Sequence, residues 1–595
     1  MNSFNKTTGI VCTVFTLLIS ISAAAQNLQA NISDNIRLNQ LGFYPNAPKI
    51  AVITSGRGKF IIQTEKNELV YSGELKESIT PGLNNKRTFI ADFTSLNKSG
   101  NYTLTVEGLG RSVPFEIAPS VHRNLAAASV KAFYYQRASI ALTEQYAGKW
   151  HRAMGHPDDK IMIHPSGATQ KRAVGSMISA SKGWYDAGDY NKYIVNSGVT
   201  MGTMLSLCED FPDYVKKLNT NIPESKNAVP DVLDELVWNL RWMLAMQDPD
   251  DGGVYNKLTN ANFDGMVMPD VPRTPRYVVQ KGTAATLDFA AVTAQASRLL
   301  KAYKKDLPGL SDSCIIASKK AWDWARKNPN MAYVQNSMNA KFEPKIVTGG
   351  YGDSNFADEF FWAGSELYIT TGDISYYNAV LAHPDERMSL PSWNNVKLLG
   401  YYSLLRNEKR FKTSIPEDIA LIREQLMTMT DEMIAGVDDR AYRTVMGKTP
   451  RDFVWGSNSV AGNQGVALIQ TYLINADRKY LDYALANLDY LLGRNATGYS
   501  YVTGFGYKTP MNPHHRPSAA DGIAEPIPGL LAGGPNPGMQ DGVALPSSVP
   551  DEAYIDDVES YAANEIAINW NAPLVYLSNA LEALQVKAGY SKTAK

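Results

Sequence analysis

Residues 183–190 read Gly-Trp-Tyr-Asp-Ala-Gly-Asp-Tyr and set two carboxylates, Asp186 and Asp189, three residues apart around Gly188. Paired carboxylates activate water and move protons in hydrolysis. The Ala187-Gly188 link disfavours a long regular helix and lets backbone and ligand approach closely. Aromatics flank the turn, and Tyr185 offers a face on which a sugar ring stacks. The stretch suits a site that holds a sugar and orders a water molecule. Taken alone it also fits a surface Asp-Gly turn, so its meaning depends on the rest of the chain.

Two later segments supply the groups such a site lacks. One is Asn512-Pro-His-His-Arg-Pro-Ser518; the other runs from Val549-Pro-Asp-Glu-Ala-Tyr-Ile-Asp-Asp557 to Asn564-Glu-Ile-Ala-Ile-Asn-Trp-Asn-Ala-Pro573. Glu565 opens an apolar stretch, Ile566-Ala567-Ile568, with Trp570 close behind. Apolar surroundings disfavour the charged carboxylate and raise its pKa, as a general acid requires. By itself Glu565 reads more readily as a helix N-terminal acid facing the macrodipole. His514 and Arg516 carry imidazole and guanidinium groups suited to fixed sugar hydroxyls. The adjacent His514-His515 pair is a poor metal site, because neighbours rarely converge on one ion without further ligands.

The elements that must position these groups fall into two regions. With 595 residues the chain exceeds one small core. Residues 36–118 hold short β-branched and aromatic runs punctuated by Gly, Pro, Asn and Ser, which suggests a small β-sandwich. Helical spacing then recurs over Asn124–Gln145, Val199–Glu209, Pro230–Gln247, Ala284–Lys304, Ser313–Lys327, Glu359–Thr371, Trp393–Leu405, Pro416–Ala435, Ala461–Ile474, Lys479–Leu492 and Asn564–Leu584. Trp238 and Trp242, four apart on one of these helices, read as core. Long Gly-, Asn-, Asp- and Pro-rich loops join the helices, and loops of that length are usually functional.

The net charge of −1 and pI of about 6.7 give no attraction to nucleic acid or an anionic membrane. Residues 1–25 read as a signal peptide: Lys6, the apolar run Gly9–Ile21, and Ala23-Ala24-Ala25 before Gln26. No later run has the roughly 18 apolar residues of a membrane span, so the mature protein is expected to be exported and soluble. Cys12 lies in the removed segment, and Cys208 and Cys314 read as buried free thiols.

The three motifs, in this order and spacing, resemble glycoside hydrolase family 9, the inverting cellulase family. The Asp-Ala-Gly-Asp turn, the Pro-His-His-Arg segment downstream of Gly506, and Asn564-Glu565 before an apolar helix each match a family signature, and the resemblance covers essentially the whole mature chain. Asn39-Gln40-Leu41-Gly42-Phe43 resembles the opening strand of the immunoglobulin-like domain found in one branch. The resemblance implies an immunoglobulin-like β-sandwich over 36–118 and an (α/α)6 toroid over 120–588. It implies Glu565 as general acid, Asp189 as general base and Asp186 as the group that positions water. Inversion requires two carboxyl groups about 6.5–9.5 Å apart with water between them, and environments that separate their pKa values.

The resemblance also places His514 and Arg516 at sugar-binding positions, with Trp393, Trp455 and Trp570 as aromatic subsites; relatives often carry Tyr at the last. Core packing is the alternative for each aromatic. Ser354, Asn355, Asp358 and Glu359 resemble a calcium loop, with Asp353 a further candidate; helix capping by Asp358 is the alternative. Some relatives hold zinc through Cys and His near the first motif. Here only His156 remains, so no zinc is expected. The expected activity is hydrolysis of internal β-1,4 bonds in cellulose-type glucan or xyloglucan by a monomer. The rivals are an exo-acting glycosidase on short oligosaccharides, a non-catalytic glycan-binding protein, and a polysaccharide lyase on a similar toroid.

Overall fold

A computed structural model describes residues 32–380, 387–411 and 413–592. The signal-peptide reading of residues 1–25 lies outside them.

The β-rich front folds into two sheets. One orders Ile36–Arg37, Ile50–Ile53, Phe89–Asp92 and Lys76–Glu77; the other orders Gly42–Phe43, Phe115–Ile117, Gly100–Val106, Lys59–Thr64 and Leu69–Glu74. Along Gly100–Val106 the period of two is visible, with Tyr102, Leu104 and Val106 turned into the core. Phe43, Phe93 and Phe115 meet there, with ring centroids 5.3–5.5 Å apart. Gly42 has φ +138°, and a Cβ on it would lie 2.0 Å from the Glu116 carbonyl oxygen, so close strand pairing demands glycine.

Buried polar bonds anchor the sandwich to the helical part. Asn39 Nδ2 donates to Asp489 Oδ1 at 2.8 Å, and the Tyr44 hydroxyl donates to Glu582 Oε1 at 2.7 Å.

Among the described residues, eleven helices have ten or more residues. Six mostly buried helices form one succession: Ile194–Asp210, Thr283–Leu300, Ala357–Thr371, Lys397–Arg406, Ser457–Asn475 and Ile568–Leu584. Such all-round burial marks interior helices. They pack in succession, with Pro416–Ile434 bridging the fourth and fifth, and Ile568–Leu584 returns to Ile194–Asp210. Arg123–Tyr135, Asp231–Ala245, Leu310–Lys327 and Arg478–Leu491 pack outside them. Trp238 and Trp242 are buried core residues, and Cys208 and Cys314 are buried free thiols.

The loops carrying the motifs enter at one kind of place. Asp186 and Asp189 precede Ile194, Tyr351 precedes Ala357, Trp393 precedes Lys397, Trp455 precedes Ser457, and Glu565 precedes Ile568. All are N-terminal ends of interior helices, where the positive end of the macrodipole favours carboxylates. The expected helix over Asn564–Leu584 begins later, at Ile568. Glu565 is extended (φ −71°, ψ 154°) and forms a parallel bridge with His514, while Ile566 pairs with Ala532. Those cross-chain bonds hold it out of the helix.

A five-stranded sheet ordered Met177–Ile178, Ile161–Ile163, Arg276–Val278, Lys257–Asn260 and Lys192–Tyr193 backs the aspartate turn.

Candidate active site

Three segments distant in sequence, the first more than 300 residues before the other two, are tied together around Gly188. Its N–H donates to Glu565 Oε1 at 3.3 Å, and its carbonyl accepts from the Arg516 backbone N–H at 3.1 Å. The His514 N–H donates to the Asn564 carbonyl at 2.9 Å, and the Ile568 N–H to the Asp186 carbonyl at 2.8 Å. A Cβ on Gly188 would lie 2.2 Å from the His514 carbonyl oxygen, so any larger residue would push the turn away from the histidine segment.

Asp186 and Asp189 are both buried, but their partners differ. Both oxygens of Asp186 accept from Asn196 Nδ2, at 3.0 and 2.9 Å, and Oδ2 also accepts from the Tyr351 hydroxyl at 3.2 Å. Asp189 is gripped through Oδ2 alone, by Asn191 Nδ2 at 2.6 Å and the Tyr193 hydroxyl at 3.1 Å. Its Oδ1 is buried and has no protein partner. A fixed carboxylate with one unpaired oxygen is what water activation needs.

Glu565 is only partly exposed and lines a cleft of about 530 Å³. Burial holds its carboxyl well above the ordinary range, with further rises from the charges of Asp189 and Asp186. The Gly188 N–H and Arg516 act the other way. Burial and then the charge of Asp189 also raise Asp186, against the hydrogen bonds from Asn196 and Tyr351. A carboxyl raised in this way at a cleft wall is suited to donating a proton there.

Trp393, Trp455 and Trp570 line that cleft, as does Tyr351. Trp455 is 43% exposed and inclines over Tyr561 with ring centroids 5.5 Å apart. Trp393 meets Tyr351 edge-on at 5.4 Å. A Cβ on Gly456 would lie 2.4 Å from the Trp570 indole nitrogen, so glycine lets that ring lie flush beneath the loop.

Other expected sugar contacts are placed differently. Tyr185 is 1% exposed; its hydroxyl meets His156 Nδ1 at 2.9 Å, and its ring packs on Tyr190 at 4.8 Å. It offers no face to a ligand, because the turn points its carboxylates toward the site and its aromatic into the core. This corrects its expected stacking role. Arg516 is buried, with Nε and Nη2 donating to the Asp264 carbonyl and Nη1 to the Gly188 carbonyl. Its guanidinium braces the aspartate turn. His514 Nδ1 lies 2.6 Å from the Val558 carbonyl, which can only accept, so that nitrogen carries the proton and Nε2 is left as an acceptor. Burial draws His515 down to about 3, leaving it a neutral link between Gln136 and Ser518.

Asn191, Tyr193, Asn196 and Tyr351 were not singled out from sequence. The signals available were polar residues opening an interior helix, and a tyrosine inside Gly349-Gly350-Tyr351-Gly352. Neither signal names a partner.

The expected calcium loop lies at the start of Ala357–Thr371. Ser354 and Asn355 are exposed, and Asp358 Oδ2 accepts from the Val396 N–H at 2.8 Å. Asp358 sits within the first turn and does not cap the helix. Both oxygens of Glu359, both of Asp288 and Oδ2 of Asp353 are buried without hydrogen-bond partners. Burial and mutual repulsion hold Asp288 and Glu359 well above the usual carboxylate range. Hard oxygen donors left unpaired in this way fit a divalent cation. Among the described residues, no three His, Cys, Asp or Glu side chains already stand in a ligand set.

Comparison with known proteins covers both regions of the chain. Residues 122–578 match the family model for glycosyl hydrolase family 9, and residues 31–111 match the cellulase N-terminal ig-like domain. A xyloglucan-specific endo-beta-1,4-glucanase of Bacteroides ovatus is 47% identical over 557 residues, covering 93% of this chain and 94% of that protein. Endoglucanase D of Acetivibrio thermocellus is 34% identical over 563 residues, covering 93% and 84%. The solved structure of a Bacteroides ovatus GH9 protein superposes with a TM-score of 0.89 at 46% identity, covering 93% of this chain and 99% of that one. The chain belongs to glycosyl hydrolase family 9 and carries that family's immunoglobulin-like domain in front of its catalytic domain.

Proposed function

We propose that the protein is an inverting endo-β-1,4-glucanase whose substrate is xyloglucan, with unbranched cellulose-type glucan as the runner-up. The observation that carries the chemistry is the union at Gly188 of a raised glutamic acid with an aspartate that keeps one oxygen unpaired. In the proposed step Asp189 Oδ1 takes a proton from water as the water oxygen bonds to the anomeric carbon. The glycosidic C–O bond breaks, and Glu565 gives its proton to the departing sugar oxygen. Asp186, its oxygens held by Asn196 and Tyr351, positions the water. One proton enters the leaving group, one reaches Asp189, and the anomeric centre inverts.

The 47% identity to a xyloglucan-specific enzyme supports the choice of substrate. The test is a product profile on xyloglucan, cellulose, mixed-linkage glucan and cello-oligosaccharides, with the anomer followed by NMR. Internal cleavage of xyloglucan releasing the α-anomer is expected. Terminal units alone, or β-anomeric product, would overturn the reading.

Within this reading Trp455 stacks on a sugar face. Trp455→Ala is expected to remove about 1–2 kcal/mol of binding. That raises KM on soluble glucan about five- to thirtyfold, with kcat changed less than about threefold. Initial-rate kinetics checks it.

The helices are read as six pairs closing an (α/α)6 toroid, in line with the ring of interior helices. The protein is read as an exported monomer; the sequence of residues 1–25 supports export. No helix among the described residues is long and apolar enough to cross a membrane.

Calcium is proposed as a structural ion held by Ser354, Asn355, Asp358 and Glu359, with Asp288 and Asp353 beside them. When bound it supplies the positive charge these acids lack. Chelation is expected to cost about 2–3 kcal/mol at formerly saturating calcium, read as a lower Tm that added Ca²⁺ restores. An unchanged Tm would sink this.

A further inference from the structure

Lys257 lies behind the aspartate turn on the strand Lys257–Asn260, fully buried and paired with no acid in direct contact. Its Nζ donates to Gln335 Oε1 at 2.7 Å, Thr348 Oγ1 at 3.0 Å and the Gly349 carbonyl at 2.6 Å, all neutral oxygens. A second Thr348 contact, to the carbonyl, is longer at 3.4 Å. The rings of Tyr193 and Tyr333 close around the ammonium, 5.4 and 5.7 Å from their centroids. Burying a charge without a counter-charge is costly, so its surroundings must give something back.

A hydrogen-bond chain leads from it to the turn. Thr348 Oγ1 meets Thr259 Oγ1 at 2.6 Å, Thr259 Oγ1 meets Asn191 Oδ1 at 2.9 Å, and Asn191 Nδ2 donates to Asp189 Oδ2 at 2.6 Å. The polarity of this chain is forced at both ends. An ammonium only donates and a carboxylate only accepts, so the two ends of the chain point toward Asp189; between them the Thr259 hydroxyl has two acceptors, Asn191 Oδ1 at 2.9 Å and the Asn260 carbonyl at 2.8 Å. Thr259 Oγ1–H and the Asn260 N–H both donate to Asn191 Oδ1, which turns the amide NH2 toward the carboxylate. A second path starts at the Gly349 carbonyl. Two residues on, Tyr351 adopts φ 44°, uncommon for a non-glycine residue, and places its hydroxyl on Asp186 Oδ2.

We infer that Lys257 is a positioning residue for the hydrolytic pair: through Thr348, Thr259 and Asn191 it orients and polarises the amide that grips Asp189, and through Gly349 it fixes the loop that brings Tyr351 to Asp186. The inference rests on the reading of Asp189 as general base. Burial draws the Lys257 ammonium down to about 7, and the charge of Asp189 is the one that pulls it back up. The lysine and the aspartate thus favour each other's charged form. The remaining groups around the ammonium, Gln335, Thr348, Gly349 and the two tyrosines, are uncharged.

The test compares Lys257→Met with wild type in the pH dependence of kcat/KM on a soluble glucan. Removing the positive charge takes away an attraction between Lys257 and the Asp189 carboxylate, so the acid limb moves to higher pH, by about one unit. At neutral pH kcat falls about ten- to a hundredfold while KM stays within about twofold. A merely structural lysine would lower the folded fraction or Tm and leave the limb in place. A folded Lys257→Met protein with an unmoved acid limb and wild-type kcat overturns the inference. Thr259→Val keeps the ammonium and its three acceptors, cuts the chain, and carries the test if Lys257→Met does not fold. Its kcat is expected to fall about tenfold at unchanged KM and Tm, and wild-type kcat would refute the relay. Asp189→Asn serves as the control. Its loss of activity together with an unaffected Lys257→Met rejects the relay alone, whereas an active Asp189→Asn rejects the base assignment.

Discussion

Glu565→Gln is expected to lower kcat on xyloglucan by about 10³–10⁴, because the leaving sugar must depart as an alkoxide unless it is protonated. The size of the loss should depend on the leaving group. A substrate with an activated aryl leaving group needs little protonation and should lose less than about tenfold in the same variant. Steady-state kinetics on the two substrates reads the difference. Equal losses on both would take the general-acid role away from Glu565. The same substitution should raise Tm at neutral pH. The folded-state pKa of Glu565 lies well above its ordinary value, so its ionised form is disfavoured by folding, and stability falls as pH rises above the unfolded value. A neutral amide escapes that penalty, as expected where a site trades stability for activity.

Asp189→Asn is expected to be as damaging, by about 10³-fold or more, but without regard to the leaving group. Water must lose a proton whichever bond breaks, and the unpaired Oδ1 is the acceptor at hand. An amide cannot accept that proton as a carboxylate can. The variant also carries a signature in pH. The negative charge of Asp189 helps to hold Glu565 in its acid form. Without that charge the pKa of Glu565 falls, so the alkaline limb of the residual activity moves to lower pH. A profile shifted upward, or a residual rate that recovers with an activated leaving group, would contradict the assignment.

The two predictions rest on features that differ in how far the sequence revealed them. The motifs around Asp186, Asp189, His514 and Glu565 are contiguous runs, so residue type and local spacing marked them as candidates, and the family resemblance of the three together gave them roles. The helices were legible for the same reason, since an apolar stripe recurs within one turn. Boundaries were less so. Glu565 was expected at a helix start, but its bridge to His514 and the pairing of Ile566 with Ala532 keep the segment extended. Helical propensity yields here to bonds formed by residues far away in sequence.

Side-chain direction was the other limit. Tyr185 and Asp186 are neighbours, yet one faces the core with His156 and Tyr190 while the other meets Asn196 and Tyr351. Arg516 matched a sugar-binding signature but is occupied by the carbonyls of Asp264 and Gly188. No spacing rule distinguishes a guanidinium that meets a hydroxyl from one that braces a loop.

The amino-acid sequence alone determined the chemistry on offer: two acids on a glycine turn, a third acid before an apolar helix, aromatics on loops, and a β-rich region ahead of a helical one. These are properties of short windows, where residue type and periodicity act directly. The tertiary structure decided which oxygen of Asp189 is left unpaired, why the Glu565 carboxyl is raised, and which neutral oxygens receive the buried Lys257 ammonium. Those outcomes depend on burial and on partners brought together from distant parts of the chain. Desolvation and hydrogen bonding are set by whatever surrounds an atom in space, and that is fixed only when the chain has closed around it.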